Sequence, residues 1–273
     1  DGRFVCAVFG TGHLVCTDMQ GKLQWSKALG VPDNHYGHSS SLLIDANRVF
    51  VQIDDWADPR VVAFDVASGE ESWLQIRDTI SWASPICVNT GERRELILAD
   101  SQYVTSYEPD TGKMLWSKEC LAGELGPSPV YADGMVFVCN DGAAAVGLEL
   151  GGDDVDIKWE WFDNLPDTAS PVATDGYVIL ATSYAVTTCL SADDGSTLWE
   201  QEFENGCYAS PILVGDVVYQ LDLGGMLSRY KAVPQFKLLG ARSVGKDTSA
   251  TPAFTEGRMY IRMDQRLLAI GNP

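Results

Sequence analysis

The chain has 273 residues, of which 45% are hydrophobic and 21% charged, and its net charge at pH 7 is −19. The hydrophobic content is sufficient for a core, whereas apolar runs such as YVILAT at 177–182 are far shorter than the roughly 20 residues of a membrane-spanning helix. The acidic balance argues against nucleic-acid binding, which requires a basic surface. We therefore predict neither a nucleic-acid partner nor a membrane span.

The predicted elements are short strands from one end of the chain to the other. The first two strands cover residues 3–9 and 13–18, with a Thr11-Gly12 turn between them. From residue 39 onward the chain repeats a unit of four strands: an apolar run after Ser-Pro, a turn such as Asp133-Gly134, two further strands, and an outer strand that carries a tryptophan. The last predicted pair covers 258–263 and 266–271. No stretch shows the sustained 3.6-residue period of a helix.

Two markers repeat at the same interval. The tryptophan that ends DMQGKLQW, DVASGEESW, EPDTGKMLW and SADDGSTLW, with a looser copy ending in DIKW, recurs after 48, 43, 43 and 40 residues. The proline of ASPI, PSPV, ASPV, ASPI and ATPA recurs after 44, 42, 40 and 41 residues. Four short strands in about 40–45 residues are typical of a β-propeller blade.

We therefore predict an all-β fold, a β-propeller of four-stranded antiparallel blades in a single domain covering residues 1–273. Seven blades are represented, and the first and last are incomplete. The expected blade boundaries are 1–38 (partial), 39–83, 84–126, 127–168, 169–208, 209–249 and 250–273 (partial).

The repeated motif carries a family resemblance. The Asp-Thr-Gly-Lys-x-x-Trp unit at 110–116 resembles the tryptophan-docking motif of the quinoprotein-like (PQQ-like) β-propeller repeat family. That family includes BamB-like outer-membrane assembly lipoproteins and the blades of PQQ-dependent dehydrogenases. The resemblance covers nearly the whole chain, and it implies the fold more specifically than any one function.

The motif itself is interpreted as scaffold. Glycine supplies the positive φ of a tight hairpin turn, and the indole ring fills the wedge between adjacent blades while its N–H finds an acceptor. The predicted structural docking residues are Trp25, Trp73, Trp116, Trp159 and Trp199, together with Gly21, Gly69, Gly112 and Gly195.

The chain begins inside a predicted blade. Asp1-Gly2 occupies the place that Asp133-Gly134 takes in a complete unit, so the innermost strand of the first blade is expected to be absent. We expect this sequence to be a fragment of a larger protein, for which eight blades are one option. An export signal or a lipid anchor could then lie upstream.

The seven cysteines include no CxxC pair and no two adjacent residues. Because their number is odd, at least one thiol is unpaired. Five of them, at positions 6, 16, 87, 139 and 189, lie in strand-like runs, where a thiol usually behaves as a small buried hydrophobe. The redox compartment stays open.

Two loops of one blade contain the densest set of candidate ligands. DNHYGH at 33–38 and DDWADP at 54–59 are expected to lie side by side on one face of the propeller. Imidazoles and carboxylates together can bind a divalent transition metal, with solvated loops as the alternative interpretation. The candidate metal ligands are His35, His38, Asp54, Asp55 and Asp58, and the candidate ligand or partner surface is Tyr36, Trp56 and Trp82.

The resemblance leaves three functions open. The favoured one is a non-catalytic protein-interaction scaffold in the periplasm or cell envelope, with no cofactor, no catalytic residue and an unidentified protein partner. The second is a PQQ- or metal-dependent oxidoreductase; relatives of that kind carry PQQ with Ca²⁺, calcium ligands and often a vicinal cysteine pair, which this sequence lacks. The third is a carbohydrate-binding propeller in which Trp56 and Trp82 stack on sugars.

Overall fold

A computed structural model describes residues 1–152, 154–246 and 248–271 of the chain. These residues form twenty-six strands in seven antiparallel sheets, five of four strands and two of three. No helix among them is long and apolar enough to cross a membrane. The prediction of an all-β fold made of four-stranded antiparallel units, with the first and last units incomplete, is confirmed.

The first compact unit comprises Asp1–Pro129 and Leu150–Val155. It contains the first three sheets, whose strands are hydrogen-bonded in chain order. The first sheet is β1 (Phe4–Val8), β2 (His13–Asp18) and β3 (Leu23–Ala28); the second is β4 (Leu43–Asp45), β5 (Arg48–Ile53), β6 (Arg60–Asp65) and β7 (Glu71–Ile76); the third is β8 (Ile86–Asn89), β9 (Arg94–Ala99), β10 (Tyr103–Tyr107) and β11 (Met114–Glu119).

The second compact unit comprises Val130–Glu149 and Asp156–Pro273. The fourth sheet is β12 (Val130–Ala132), β13 (Met135–Cys139), β14 (Ala145–Gly151) and β15 (Asp154–Trp161), and the fifth is β16 (Val172–Ala173), β17 (Tyr177–Ala181), β18 (Val186–Ser191) and β19 (Thr197–Glu202). The sixth is β20 (Ile212–Val214), β21 (Val217–Leu221), β22 (Met226–Lys231) and β23 (Leu238–Ser243), and the seventh is β24 (Ala253–Thr255), β25 (Arg258–Arg262) and β26 (Leu267–Gly271).

The middle strands are buried on both faces, and the outer strands on one. In β5 every residue after Arg48 is buried, whereas β7 buries only Trp73 and exposes Leu74 and Ile76. A strand covered on both faces needs a continuous apolar run, which VFV at 49–51 and LIL at 96–98 supply. Within each unit the core therefore consists of apolar layers that lie between successive sheets, such as the layer of Leu14 and Cys16 with Val49 and Val51 in the first unit.

Tryptophans of the outer strands pack on glycines of the following sheet. A Cβ added to Gly69 would lie 2.6 Å from Trp25 Cδ2, and the Trp25 indole N–H donates to Val66 O at 2.9 Å. The same arrangement joins Trp73 with Gly112 and Trp159 with Gly195, with indole N–H bonds to Pro109 O at 3.0 Å and Ala192 O at 2.7 Å. Trp199 donates to Val233 O at 2.9 Å.

Two predicted docking residues depart from this arrangement. The Trp116 indole N–H donates to the Glu95 carboxylate of its own sheet at 2.7 Å, and Glu95 also accepts from Ser106 Oγ at 2.7 Å. Gly21 has the positive φ of the turn, +79°, but no atom of the described residues outside its own chain neighbours lies within 4 Å of the position of its missing Cβ. Gly21 therefore has a role in the hairpin turn but none in packing against a tryptophan.

The serine of the Ser-Pro marker links neighbouring sheets. The backbone N–H of Ser41 donates to Ser84 Oγ at 2.9 Å, and the N–H of Ser84 donates to Ser128 Oγ at 2.9 Å. In the second unit, Ser170 N–H donates to Ser210 Oγ at 2.9 Å and Ser210 N–H to Thr251 Oγ1 at 3.0 Å. A hydroxyl at this position therefore accepts a hydrogen bond from a backbone N–H of the preceding sheet. The sequence pattern does not reveal this role.

Candidate interaction face

Two loops of the first unit are bonded side by side. The N–H of Asp33 donates to Asp55 Oδ2 at 2.9 Å, and the N–H of Trp56 donates to Asp33 O at 3.1 Å. Asn34 organises the first loop, because its Oδ1 accepts from the N–H of Tyr36 at 2.7 Å and its Nδ2 donates to Gly37 O at 3.1 Å. The two loops thus hold their side chains in fixed positions.

The loops display a cluster of aromatic rings. Tyr36 meets Trp82 edge to face, with ring centroids 4.9 Å apart, and the His35 ring lies 6.3 Å from Tyr36 and 6.2 Å from Trp56. Tyr36 is 64% exposed and Trp56 54% exposed. We call these four residues the aromatic face. Large aromatic side chains held this far out of the core are typical of binding surfaces.

A cavity of about 410 Å³ opens beside the aromatic face. Trp56, Trp82 and Leu121 form much of its apolar wall, while Glu119 and Glu124 add acidic groups. The Trp82 indole N–H is shielded from solvent and has no hydrogen-bond partner among the residues that the structure describes. The cavity therefore combines apolar walls with two carboxylates, and an unsatisfied donor lies on a residue of its wall.

The acidic character of the face persists below neutral pH. Hydrogen bonds from the backbone N–H groups of Asp33 and Ala57 lower the pKa of the Asp55 carboxyl from its ordinary value of 3.8. Asp55 therefore stays ionised in mildly acidic conditions, and a basic partner would meet a fixed negative charge beside Trp56.

Beneath the loops lies a buried ion pair. Arg77 Nη1 donates to Asp54 Oδ1 at 2.6 Å, and both side chains are at most 3% exposed. Asp54 also accepts from the N–H of Ser81 at 3.0 Å and from Gln52 Nε2 at 2.8 Å. Arg77 Nη2 reaches Ala99 O of the third sheet at 3.3 Å. These bonds fasten the loop that carries Trp56 to the strands below it.

The candidate metal ligands are engaged with the protein. His38 Nε2 lies 2.9 Å from Gly30 O, and Asp58 accepts a hydrogen bond from Arg60 at 2.6 Å. Asp54 accepts a hydrogen bond from Arg77 in the buried ion pair. Within the ranges that the structure describes, no three or more His, Cys, Asp or Glu side chains are placed to hold a metal ion. Metal binding at His35, His38, Asp54, Asp55 and Asp58 stays a prediction.

Sequence reasoning named Tyr36, Trp56 and Trp82 as a candidate surface, but not the residues that support them. Asn34 lies in the DNHYG segment. The tendency of asparagine to form an Asx turn was the signal in the sequence that could have identified it as a support. Glu119, Leu121 and Glu124 lie on and after the outer strand of the third sheet, and only the fold brings them to Trp56.

Comparison with known proteins agrees with this architecture. A search of curated proteins finds no matching sequence. Among solved structures, BamB from Moraxella catarrhalis superposes with a TM-score of 0.79 at 14% sequence identity, covering 98% of this chain and 78% of that one. At this identity the likeness shows the fold alone, and it confirms the predicted β-propeller class.

The family comparison covers most of the chain. The model of the family described as outer membrane protein assembly factor BamB matches residues 1–90, 57–174 and 159–233. These ranges contain all five outer-strand tryptophans and the repeated Ser-Pro markers up to Pro211. The chain therefore belongs to the outer membrane protein assembly factor BamB family, within the PQQ-like propellers that the docking motif resembles.

Proposed function

We propose that this chain is a non-catalytic scaffold of the cell envelope that binds a protein partner through the aromatic face. Membership of a family named for outer membrane protein assembly supports both the scaffold role and the location. The proposal assigns no cofactor and no catalytic residue to the chain.

One observation supports this role best. Tyr36 and Trp56 are large, more than half exposed, and held by backbone hydrogen bonds on loops fastened to the sheet below. Aromatic residues in such positions supply most of the binding free energy at protein interfaces, because little side-chain entropy is lost when they are covered.

The chemistry around these rings indicates the partner. Asp55, Glu119 and Glu124 surround or line the same region, and the chain as a whole carries a net charge of −19. A partner segment that combines basic residues with an apolar or aromatic side chain would match both the charge and the cavity.

Site-specific photo-cross-linking in the native host tests the proposal. Tyr36 is replaced by p-benzoylphenylalanine, and Met19, which is 55% exposed in the first unit, receives the same group as the control. We expect one discrete cross-linked protein from position 36 that is absent from position 19. Equal labelling at both positions would contradict the proposal, as would saturable binding of PQQ with Ca²⁺ accompanied by dye-linked turnover.

A second function is favoured by the cavity wall. Trp56 and Trp82 line the same 410 Å³ space, and tryptophan rings beside carboxylates are a common surface for sugars. Titration with oligosaccharides separates this function from the first: sugar binding that is lost in Trp56→Ala and Trp82→Ala, without a protein cross-link at position 36, would replace the scaffold by a carbohydrate-binding role.

A further inference from the structure

Two cysteines lie opposite each other on neighbouring strands of the first sheet. Cys6 of β1 is in register with Cys16 of β2. Residues that are directly opposite point to the same face of a sheet, and both cysteines accordingly pack in the apolar layer between the first and second sheets. The two thiols are therefore neighbours, although a loop separates them in the sequence.

The hydrogen-bond pattern gives this pair the closer of the two spacings in an antiparallel ladder. The N–H of Phe9 donates to His13 O at 2.9 Å, so Phe9 and His13 form a hydrogen-bonded pair. Because the two kinds of pair alternate along an unbroken ladder, Cys6 and Cys16 form a non-hydrogen-bonded pair, whose Cα atoms lie about 4.5 Å apart. A disulfide needs a Cα separation of about 4.4–6.8 Å. The backbone thus already has a spacing that a disulfide can bridge.

The bonds on the other side of β2 agree with this assignment. The N–H of Leu29 on the third strand's side donates to Gly12 O at 2.7 Å, so every second residue after Gly12 directs its backbone groups toward β3. Cys16 is one of these residues, and it pairs with Trp25 of β3. Its N–H and C=O therefore point away from Cys6, as a non-hydrogen-bonded pair requires.

The surroundings of the sulfurs accommodate a bond between them. Burial, together with the neighbouring Cys16 thiol, raises the pKa of the Cys6 thiol from 9.0 to about 12. Cys16 Sγ donates to Val66 O at 3.4 Å, and the same carbonyl accepts from the Trp25 indole N–H at 2.9 Å. A disulfide would remove the Cys16 S–H, but Val66 O would keep the hydrogen bond from Trp25. Joining the sulfurs therefore leaves this carbonyl satisfied.

The other strand cysteines face different residues. In the register of their strands, the pairs are Cys87 with Leu96, Cys139 with Ala145, and Cys189 with Trp199. Among the strand pairs that the structure describes, Cys6 with Cys16 is thus the one made of two cysteines.

We propose that Cys6 and Cys16 are a disulfide-forming site, which a disulfide oxidant closes by thiol–disulfide exchange. The thiolate of one cysteine attacks a sulfur of the oxidant RSSR, forming a mixed disulfide and releasing one RSH. The thiolate of the other cysteine attacks the protein sulfur of the mixed disulfide, forming the Cys6–Cys16 bond and releasing the second RSH. The protein loses two electrons and two protons, and the oxidant gains both as two RSH molecules.

The burial of the thiols determines when the bond forms. The thiolate is the reacting species, and it is scarce at neutral pH in the folded chain because the pKa of Cys6 is about 12. Exchange is therefore slow once the sheet has formed, and the bond is set while the chain folds. Oxidising compartments such as the envelope of the proposed function supply disulfide oxidants. The site uses no residue of the aromatic face, so either proposal can fail without the other.

The test is refolding of the full chain from urea in a buffer of reduced and oxidised glutathione. The soluble monomer is denatured, alkylated with iodoacetamide and digested with trypsin without reduction. Tryptic peptide 4–22 contains Cys6, Cys16 and no other cysteine. We expect this peptide to lack alkyl groups in at least about tenfold excess over its doubly alkylated form, and we expect the peptides with the other cysteines to be alkylated.

Variants assign the bond to the strand register. Cys6→Ala and Cys16→Ala should each abolish the closed peptide, whereas Cys189→Ala should leave it unchanged. Val5→Cys with Cys6→Val is the matched control, because it keeps the composition but moves the thiol to the other face of β1. Closure in this double variant should fall by at least about tenfold relative to wild type.

Stability gives a second measurement on the same samples. The oxidised wild type should unfold at a higher urea concentration than its reduced form, because the cross-link restricts the unfolded chain. Cys6→Ala should show no difference between the two buffers. An alkylated peptide 4–22 in the wild type, a different cysteine pair as the main disulfide, or closure of the double variant at the wild-type level would each overturn the proposal.

Discussion

Trp73 of the second sheet lies flat against Gly112 of the third, so closely that a Cβ on Gly112 would be 2.6 Å from both Trp73 Cδ2 and Cε3. Gly112 thus has two roles, since its φ of +72° also forms the hairpin turn. Gly21 holds the same turn at a φ of +79° but has nothing within 4 Å of its missing Cβ. A comparison of substitutions at the two glycines therefore separates the cost of straining the turn from the cost of displacing the indole ring.

We expect Gly112→Ala to destabilise the protein more than Gly21→Ala. Both variants force alanine into a left-handed conformation, at a cost of about 1–2 kcal/mol. Only Gly112→Ala also displaces the Trp73 ring, for a further cost of about 1–3 kcal/mol. Urea unfolding of the two variants measures the difference, and equal losses of stability would show that the indole tolerates the methyl group.

The hydrogen bonds that the Ser-Pro serines accept from the preceding sheet predict an effect on stability that depends on the hydroxyl rather than on side-chain size. Ser84→Ala leaves the N–H of Ser41 without its acceptor and should lower the free energy of unfolding by about 1 kcal/mol. Ser84→Thr keeps the hydroxyl, as Thr251 does in the seventh sheet, and should be close to neutral. Thermal unfolding of both variants decides this; a similar loss in each would assign the effect to packing.

Asp54 is predicted to be a structural residue rather than a ligand. Asp54→Ala leaves the Arg77 guanidinium buried without its carboxylate, which costs about 3–5 kcal/mol. Asp58→Ala removes an exposed partner of Arg60 and should cost less than about 1 kcal/mol. Chemical denaturation gives both values, and a metal-dependent melting temperature that is lost in Asp58→Ala would instead favour the metal-site hypothesis.

Buried thiols should make stability fall at alkaline pH. Burial raises the pKa of the Cys189 thiol from 9.0 to about 12, so between these values the unfolded chain loses a proton that the folded chain keeps. The stabilisation is complete below pH 9 and is lost as pH rises through the folded pKa, at up to about 1.4 kcal/mol per pH unit. The free energy of unfolding should decline less steeply from pH 9 to 11 in Cys189→Ala, and parallel curves would contradict this assignment.

The sequence predicted those features that repeat locally. The period of the outer-strand tryptophans and of the Ser-Pro markers was enough for the fold class, because each copy reports the same position in a blade. The partner of a marker was not predictable, since Ser41 and Ser84 are 43 residues apart. The same limit applies to Asp54, because its ion-pair partner Arg77 lies 23 residues further along the chain.

The sixth sheet shows why the absence of a motif is hard to interpret. Residues 238–243 contain no tryptophan, so nothing in the period marks Gly240 as the equivalent position. Strand register identifies it, because Gly240 faces Arg229 beside a register shift, as Trp199 faces Cys189 in the fifth sheet. The aromatic face was predicted as separate residues, but its cavity depends on Glu119 and Leu121 from a different sheet.

The most direct test of the aromatic face is the affinity of the partner that position 36 cross-links, purified and titrated by calorimetry into the wild-type chain and into Tyr36→Ala/Trp56→Ala. Because both side chains are more than half exposed, the double variant should keep its melting temperature. We expect its affinity to fall by at least about 100-fold, as for two interface anchors, while Met19→Ala binds like wild type. Unchanged affinity in the double variant would contradict the proposal that this face is where the partner binds.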